Sequence, residues 1–329
     1  MGAPHPDRHR AMGRHDIARH IASLDPERDH VEIVHYLVGW EFPWDWVRAL
    51  EMALYRTFCV PSVSRLLDRT REFHDRPQRR YDDTALLMAE IMEWGYDSER
   101  GKEALRRTNR FHRHYEIPNE DFLYVLTTFH LEPIRWMDRH GWRRLTEAER
   151  DASYHFWREV GRRMAIRDIP PTRAAFEAWS ARHEQLRFAY DDANHRVATS
   201  TRELFVSWAP RALRPLVRVG IHAMLDDAML ESFGFRPAPR AVRSLVSGAL
   251  RLRGRALRLF PARTRKHFIT GTPQRSWPNG YRIGDLGPPP LLAPDATPPT
   301  DVSGSRRRVA AQERDDNPKA HPRGRPEKR

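Results

Sequence analysis

Apolar residues recur at three- and four-residue spacings from about residue 31 to residue 260, and the strict alternation that marks a half-buried strand is almost absent. The pattern predicts a nearly all-α fold, and the helix ends can be placed by their punctuation. Residues 44–58 make a first helix and 61–73 a second that opens at Pro61. The next starts at Asp75-x-Pro77 or at Asp82/Asp83, carries the run ALLMAEIMEW and stops near Gly95. Residues 98–115 form a helix ending before Ile117-Pro118, after which Asn119 is expected to cap a run to His140 that bends near Pro133. Thr146 and Glu149 make a capping box for a helix reaching about Met164, and Pro170-Pro171-Thr172 heads one ending near Tyr190. Further helices are expected at about 194–206, 210–232 and 239–259, and Trp277-Pro278-Asn279-Gly280-Tyr281 reads as a closing turn.

A length of 329 residues allows two domains, and a single large helical domain with tails fits it equally well. The single domain, over 26–285, is the reading taken. Residues 1–25 and 286–329 are rich in Pro, His, Arg and Asp without apolar periodicity, and both are expected to be disordered. The one cysteine, Cys59, rules out an intramolecular disulfide framework and a multi-cysteine metal site, and suits a reducing compartment. The N-terminus has no apolar signal region, Pro6 stands where a myristoylation signal needs a hydroxyl, and no stretch approaches roughly 18 uncharged apolar residues. A cytoplasmic location is therefore expected, with peripheral membrane association as the variant that the charge allows. Of the net charge of +13, residues 211–267 alone hold thirteen basic and three acidic residues. Arg211, Arg214 and Arg218, then Arg251, Arg253, Arg255 and Arg258, alternate with apolar residues, the pattern of a basic amphipathic helix on an anionic membrane surface or of a solvated outer face. No nucleic-acid-binding motif accompanies the charge, so nucleic acid is not an expected partner.

Within the 98–115 helix Leu105, Thr108, His112 and Tyr115 stand 3, 4 and 3 residues apart on one face, whereas His114 points to nearly the opposite side. His112 and His114 cannot chelate one ion together, and no H-E-x-x-H pair occurs. A lone histidine on an apolar face is more often a hydrogen-bonded core residue than a ligand, and position alone leaves both readings of His112 open. Arg80 and Thr84 share a face with Leu87, Met88 and Ile91 if their helix reaches back that far. A guanidinium among apolar residues needs an anionic partner, because burying an unpaired charge is costly. Asp82, Asp83 or Glu132 could supply it, or an anionic ligand could. Arg135, near Glu132 at the expected bend, is likewise one half of a buried salt bridge or a ligand contact. There is no G-x-S-x-G, P-loop or G-x-G-x-x-G, and Cys59 lies in an apolar Phe-Cys-Val context that suggests core.

Four motifs follow in order: R-Y-x-D-T from Arg80, N-x-x-H-x-x-Y from Asn109, L-Y-x-L-x-x-F from Leu123 and E-P-x-R-W from Glu132. With ALYRTFCVPSVSRLL at 53–67 and FGFRPAP at 233–239, they resemble the MpaB/rubber oxygenase family over roughly 31–285, and its MpaB branch most closely. The resemblance implies an all-α domain enclosing a haem b pocket, with His112 as the proximal iron ligand. Arg80 and Thr84 match the family's catalytic and cofactor-positioning pair, and Arg135 would be a second propionate contact. It also implies dioxygen as co-substrate, a hydrophobic small-molecule substrate such as a prenyl-like alkene, and oxidative cleavage of a carbon–carbon double bond. Leu87, Met88, Phe122, Leu126 and Phe129 are expected to line the pocket. Two departures stand out. Asp83 occupies the position of a lysine that precedes the threonine in the rubber-cleaving branch, and no residue matches that branch's proposed glutamate base. No segment matches the membrane anchor of fungal members, which leaves 211–267 as the membrane-facing candidate. A non-enzymatic haem-binding or redox-sensing protein, or a membrane-surface protein, is the alternative from another functional class.

Overall fold

The computed structural model describes residues 15–261 and 263–289. Among these the chain is all-α, with a lone bridge between Gln274 and Trp277 as the only extended pairing. Helices α1 (Asp16–Ala22) and α2 (His30–Tyr36) lead through a π-helical turn at Leu37–Glu41 into α3 (Pro43–Thr57). Next come α4 (Pro61–Thr70), α5 (Glu72–Asp75), α6 (Pro77–Trp94), α7 (Glu99–His112), α8 (Asn119–His140) and α9 (Glu147–Arg163). The rest are α10 (Arg173–Arg187), α11 (Asp192–Ser207), α12 (Arg214–Met224), α13 (Asp227–Phe233) and α14 (Arg240–Leu257). Proline opens α3, α4 and α6, where its missing N–H leaves no bond unmade. Ser98, Thr172 and Asp226 cap α7, α10 and α13 through their side chains, and Thr146 and Glu149 close the expected capping box in both directions at 3.2 and 2.8 Å.

Several expectations are corrected. The 61–73 helix breaks at Arg71, whose φ of 60° ends α4 and begins α5. The 210–232 helix breaks at Leu225-Asp226, because Asp226 leaves helical geometry to cap α13. Asn119 caps nothing: its amide exchanges hydrogen bonds with the backbone of Arg167 at 2.8 and 3.0 Å, tying the head of α8 to the loop after α9. The helix from Ser98 ends at His112 instead of Tyr115, whereas α8 runs to His140 with Pro133 inside it, over the expected span. Of the segment 1–25 expected to be disordered, the described part carries α1, which buries Ile17 and Ile21. At the other end Leu286 is fully buried, so the folded part passes residue 285. Residues 1–14 and 290–329 of the expected tails lie outside the described residues.

Helix α8 is the axis of the fold, with α3 and α9 as its main neighbours and α10 and α14 also against it. Ala49 and Ala53, one turn apart and buried on α3, leave room for the close α3–α8 approach. Trp46, Trp136 and Trp157 fill the main core, while Tyr55, Phe58, Cys59, Phe73, Val197 and Phe233 form a second apolar cluster that joins α3 and α5 to α11 and α13. Burying each large apolar side chain contributes roughly 1.5–3 kcal/mol. Burial pushes the Cys59 thiol far up, as a core residue requires.

The expected turn at 277–281 belongs to a strap laid across α6 and α7. Trp277 Nε1 donates to one oxygen of Asp83 at 2.7 Å, and the Gly287 amide donates to the other at 2.9 Å. The Arg79 guanidinium stacks on Trp277 at 4.9 Å, and Arg107 Nε donates to the Leu286 carbonyl at 2.9 Å. Gly287 sits at φ 116°, and a side chain there would collide with the Phe111 ring. In Asp83→Ala the Gly287 amide loses a buried acceptor, so its hydrogen exchange should quicken roughly tenfold or more while amides of central α8 keep their rates. An unchanged Gly287 rate would show that Asp83 does not hold the strap.

Candidate functional site

Gly95, at φ 79°, ends α6, and Ser98 starts α7 three residues later, so the two helices fold into a hairpin. A side chain at Gly101 would strike the Gly95 carbonyl, which fixes the tightness of that corner. The fold-back brings the last turn of α7, with His112, beside the first turns of α6, with Arg80 and Thr84. The structure thus unites three of the expected site residues.

Thr84 Oγ1 accepts from the Arg80 guanidinium and donates to the Arg80 backbone carbonyl at 2.9 Å. The guanidinium lies over the Phe73 ring at 5.2 Å. Each carboxylate that might have neutralised it is engaged elsewhere. Asp82 accepts from Gln78 at 2.9 Å and from the Ser276 amide at 2.8 Å, Asp83 holds the strap, and Glu132 lies in a separate ionic cluster. Among the described residues no carboxylate comes within ion-pair distance of Arg80, and burial works against its charge, with Asp83 and Glu72 acting only from a distance. The structural ion-pair reading of Arg80 is therefore not realised.

The His112 ring stands edge-on to Phe122 of α8 at 5.0 Å, and its Nδ1 is buried without a hydrogen-bond partner. Burial first, and then the charge of Arg80, lower its pKa to about 4, so at neutral pH the ring is an uncharged base. The His112 ring nitrogen is thus a polar atom that the described residues leave unsatisfied, beside a guanidinium that meets no carboxylate among them. His114 turns away, its Nδ1 2.8 Å from the Arg110 carbonyl, and shares no ligand position with His112. Of the expected apolar lining, Leu87 and Met88 are buried. Phe129 stacks on Trp157 at 4.7 Å, and Leu126 packs where Gly161 leaves room, so these two serve the α8–α9 contact.

Arg135 is not brought to this site. It is thirteen residues beyond Phe122 on the same helix, roughly 20 Å away at 1.5 Å per residue. There it pairs with Glu132 at 2.6 Å and Glu184 at 3.1 Å, beside Arg56, which is 5% exposed and engages Glu132, Glu184 and Asp226. The cavity at this cluster has a volume of about 30 Å³, room for a water but not for a cofactor. This cluster was not foreseen as a whole, nor was an Asp68–His74–Ser200 chain with links of 2.9 and 2.8 Å. Asp68 is at the same time held by Arg196 at 2.7 Å, so the chain stitches α4, α5 and α11 together.

Among the described residues no three His, Cys, Asp or Glu side chains are grouped to hold a metal ion. The site at His112 offers one neutral nitrogen and one unpaired cation. That donor set fits a cofactor that brings most of its own metal ligands together with carboxylates, as haem b does.

Fold and site define an all-helical protein with a lone neutral histidine and an unpaired arginine sunk between consecutive helices. The chain belongs to the family described as ER-bound oxygenase mpaB/B'/Rubber oxygenase, catalytic domain, which matches residues 39–259 and thus spans the whole site. It is similar to the ER-bound oxygenase mpaB' of Penicillium brevicompactum, 28% identical over 219 residues, which are 60% of this chain and 52% of that protein. It is also similar to the ER-bound oxygenase mpaB of Penicillium roqueforti (strain FM164), 29% identical over 208 residues covering 57% of this chain and 70% of the relative. The chain spans about half the length of the first of these relatives. The expected family is borne out, and among the described residues no helix is long and apolar enough to cross a membrane.

An NMR titration of the cofactor-free protein should find His112 neutral down to pH 5 and protonating only near 4, below the ordinary value of 6.5. The unfolded chain takes up this proton first, so the stability tied to the neutral ring is complete above about pH 6.5 and is lost as the pH falls towards 4. Titration of His112 near 6.5 would mean that the ring is solvated.

Proposed function

We propose that the chain is an oxygenase that binds haem b through His112 and uses dioxygen on an apolar small molecule. The observation that carries this reading is the orphaned Nδ1 of His112 beside an arginine without a carboxylate. The family match supports oxygenase chemistry in general; the cofactor and the substrate class are part of the proposal. His112 would offer its neutral nitrogen to the iron, and the edge of Phe122 restrains the rotation of the ring. Arg80 would bind a haem carboxylate, aimed by the Thr84 hydroxyl, which limits the guanidinium's freedom before anything binds. Haem, when bound, supplies the redox-active iron at which dioxygen chemistry takes place. The residues around the pair exclude water: Phe73, Leu87, Met88 and Phe122 present hydrocarbon, which favours an apolar substrate such as an alkene and strengthens each charge interaction inside. Oxidative cleavage of a carbon–carbon double bond is the reaction that this reading favours.

One observation favours a second, compatible role at a membrane surface. Of eleven exposed large apolar side chains among the described residues, seven fall between 213 and 260, among them Leu216 on α12, Leu245 and Leu252 on α14, and Leu259 and Phe260 just after it, interleaved with arginines. Such a face suits an anionic bilayer, and salt-sensitive sedimentation with phosphatidylserine vesicles is its test.

For the oxygenase reading, the full chain supplied with haem should show a Soret band and consume dioxygen with an isoprenoid alkene. Arg80→Gln should weaken haem binding roughly ten- to a hundredfold, the value of a hydrogen-bonded charge. A Soret band without dioxygen uptake would favour a haem-binding or redox-sensing protein instead. Absence of the band in haem-supplied wild type would overturn the proposal.

A further inference from the structure

Where the end of α8 meets α14, a solvent-open cleft of about 450 Å³ is walled by arginine from two directions. Arg139, Arg143 and Arg144 come from the last turn of α8 and the chain after it. Arg251 and Arg255 of α14 and its C-cap Arg258 stand at i, i+4 and i+7 and so share one helix face. Arg143 is already neutralised by Glu41 and Glu149 at 2.7–2.9 Å and forms a fixed wall. The acidic residue of the lining, Asp138, is held by Arg150 at 2.9 Å. The other five arginines have no carboxylate within ion-pair distance among the described residues. Arg258 is aimed by a hydrogen bond from its Nε to the Trp142 carbonyl at 2.7 Å.

The walls are not free to splay. Gly254 faces the α8 terminus so closely that a Cβ would lie 2.6 Å from the His140 carbonyl, which sets the two helices backbone to backbone. The positive field reaches inward as well: Nδ1 of His140 is buried without a partner, and burial, then Arg139 and Arg251, lower that ring's pKa to about 4. Helix C-termini favour nearby cations, which accounts for Arg139, Arg255 and Arg258 singly. It does not account for Arg251 and Arg144, or for five uncompensated charges converging on one cleft against their mutual repulsion.

We propose that this cleft binds a phosphate group, the chemistry shared by free phosphate or pyrophosphate and the head of an anionic phospholipid. Guanidinium forks pair two at a time with phosphate oxygens, so arginines from two helices can enclose a tetrahedral anion that one helix could only touch. The volume lies in the range of small-ligand sites, but the lining is polar, which suits an anion and not an acyl chain. The site is distinct from that of His112 and does not depend on haem.

The test uses the full chain and a charge-matched control. Arg251→Gln/Arg255→Gln removes two cleft charges that make no internal ion pair, and Arg106→Gln/Arg182→Gln removes two exposed charges elsewhere. Calorimetry with inorganic pyrophosphate, and with phosphate, should show saturable one-to-one binding that weakens at least tenfold in the cleft pair and not in the control pair. In parallel, sedimentation with phosphatidylcholine vesicles containing phosphatidic acid is compared with vesicles of equal charge containing phosphatidylserine. Preference for phosphatidic acid, displaced by pyrophosphate, assigns the site to a lipid headgroup. Pyrophosphate binding without that preference assigns it to a free anion. No saturable binding to any of these probes, or equal weakening in the two variant pairs, would overturn the proposal. The vesicle role of the α12–α14 face fails separately, if phosphatidylserine vesicles are not bound while pyrophosphate is.

Discussion

Arg80 carries a charge into a half-buried place where no carboxylate among the described residues comes within ion-pair distance, and burial and that charge make the histidine beside it a weak base. An arrangement of that kind is unfavourable by itself, because an ion that is drawn partly out of water without a counter-charge loses part of its hydration. The surrounding elements can be understood as what holds it in place. The tight corner at Gly95 sets the α6–α7 hairpin, Phe73 and Phe122 bracket the pair from α5 and α8, and the strap from Trp277 to Gly287 is held to α6 through Asp83 and to α7 through Arg107. A ligand that brings a carboxylate and a metal would relieve both defects at once.

Several buried or half-buried charges elsewhere in the fold are matched by partners. Glu90, fully buried, is held by Arg100 and Tyr281, and Arg173 gathers Asp151, Glu147 and Glu177. Arg56 is met by three carboxylates, two of which also serve Arg135. The Arg80 site and the α8–α14 cleft differ from these, one half-buried among apolar side chains, the other open and lined mostly by arginine. Their surroundings suit different ligands for that reason.

Much of the architecture was legible from periodicity, since α3, α6 and α9 fall where apolar spacing, Pro77, Gly95 and the Thr146 capping box place them. Three of the misplacements share one cause: a long-range partner acted where only local signals could be read. Asn119 serves the Arg167 backbone, Asp226 pairs with Arg56 while it caps α13, and α1 is helical because Ile17 and Ile21 find a core. At the site, helical spacing was enough to set Arg80 with Thr84 and to turn His114 away from His112. Spacing could not decide what neutralises Arg80, because that depends on Asp83 facing Trp277 and Gly287, about two hundred residues further along the chain. The same partnership gives Asp83 a structural task at the position where the rubber-cleaving branch resembled above has a lysine. Arg135 illustrates the converse, a motif residue whose neighbours in space are acids.

The proposal that His112 binds the iron of haem is tested most directly by a cavity variant. His112→Gly, in the full chain supplied with haem, leaves a gap of imidazole size beside an unchanged Arg80. The account predicts that the visible spectrum of the wild-type haem protein is lost in this variant and returns when free imidazole is added. A His112→Gly protein that keeps the wild-type spectrum without imidazole would contradict it.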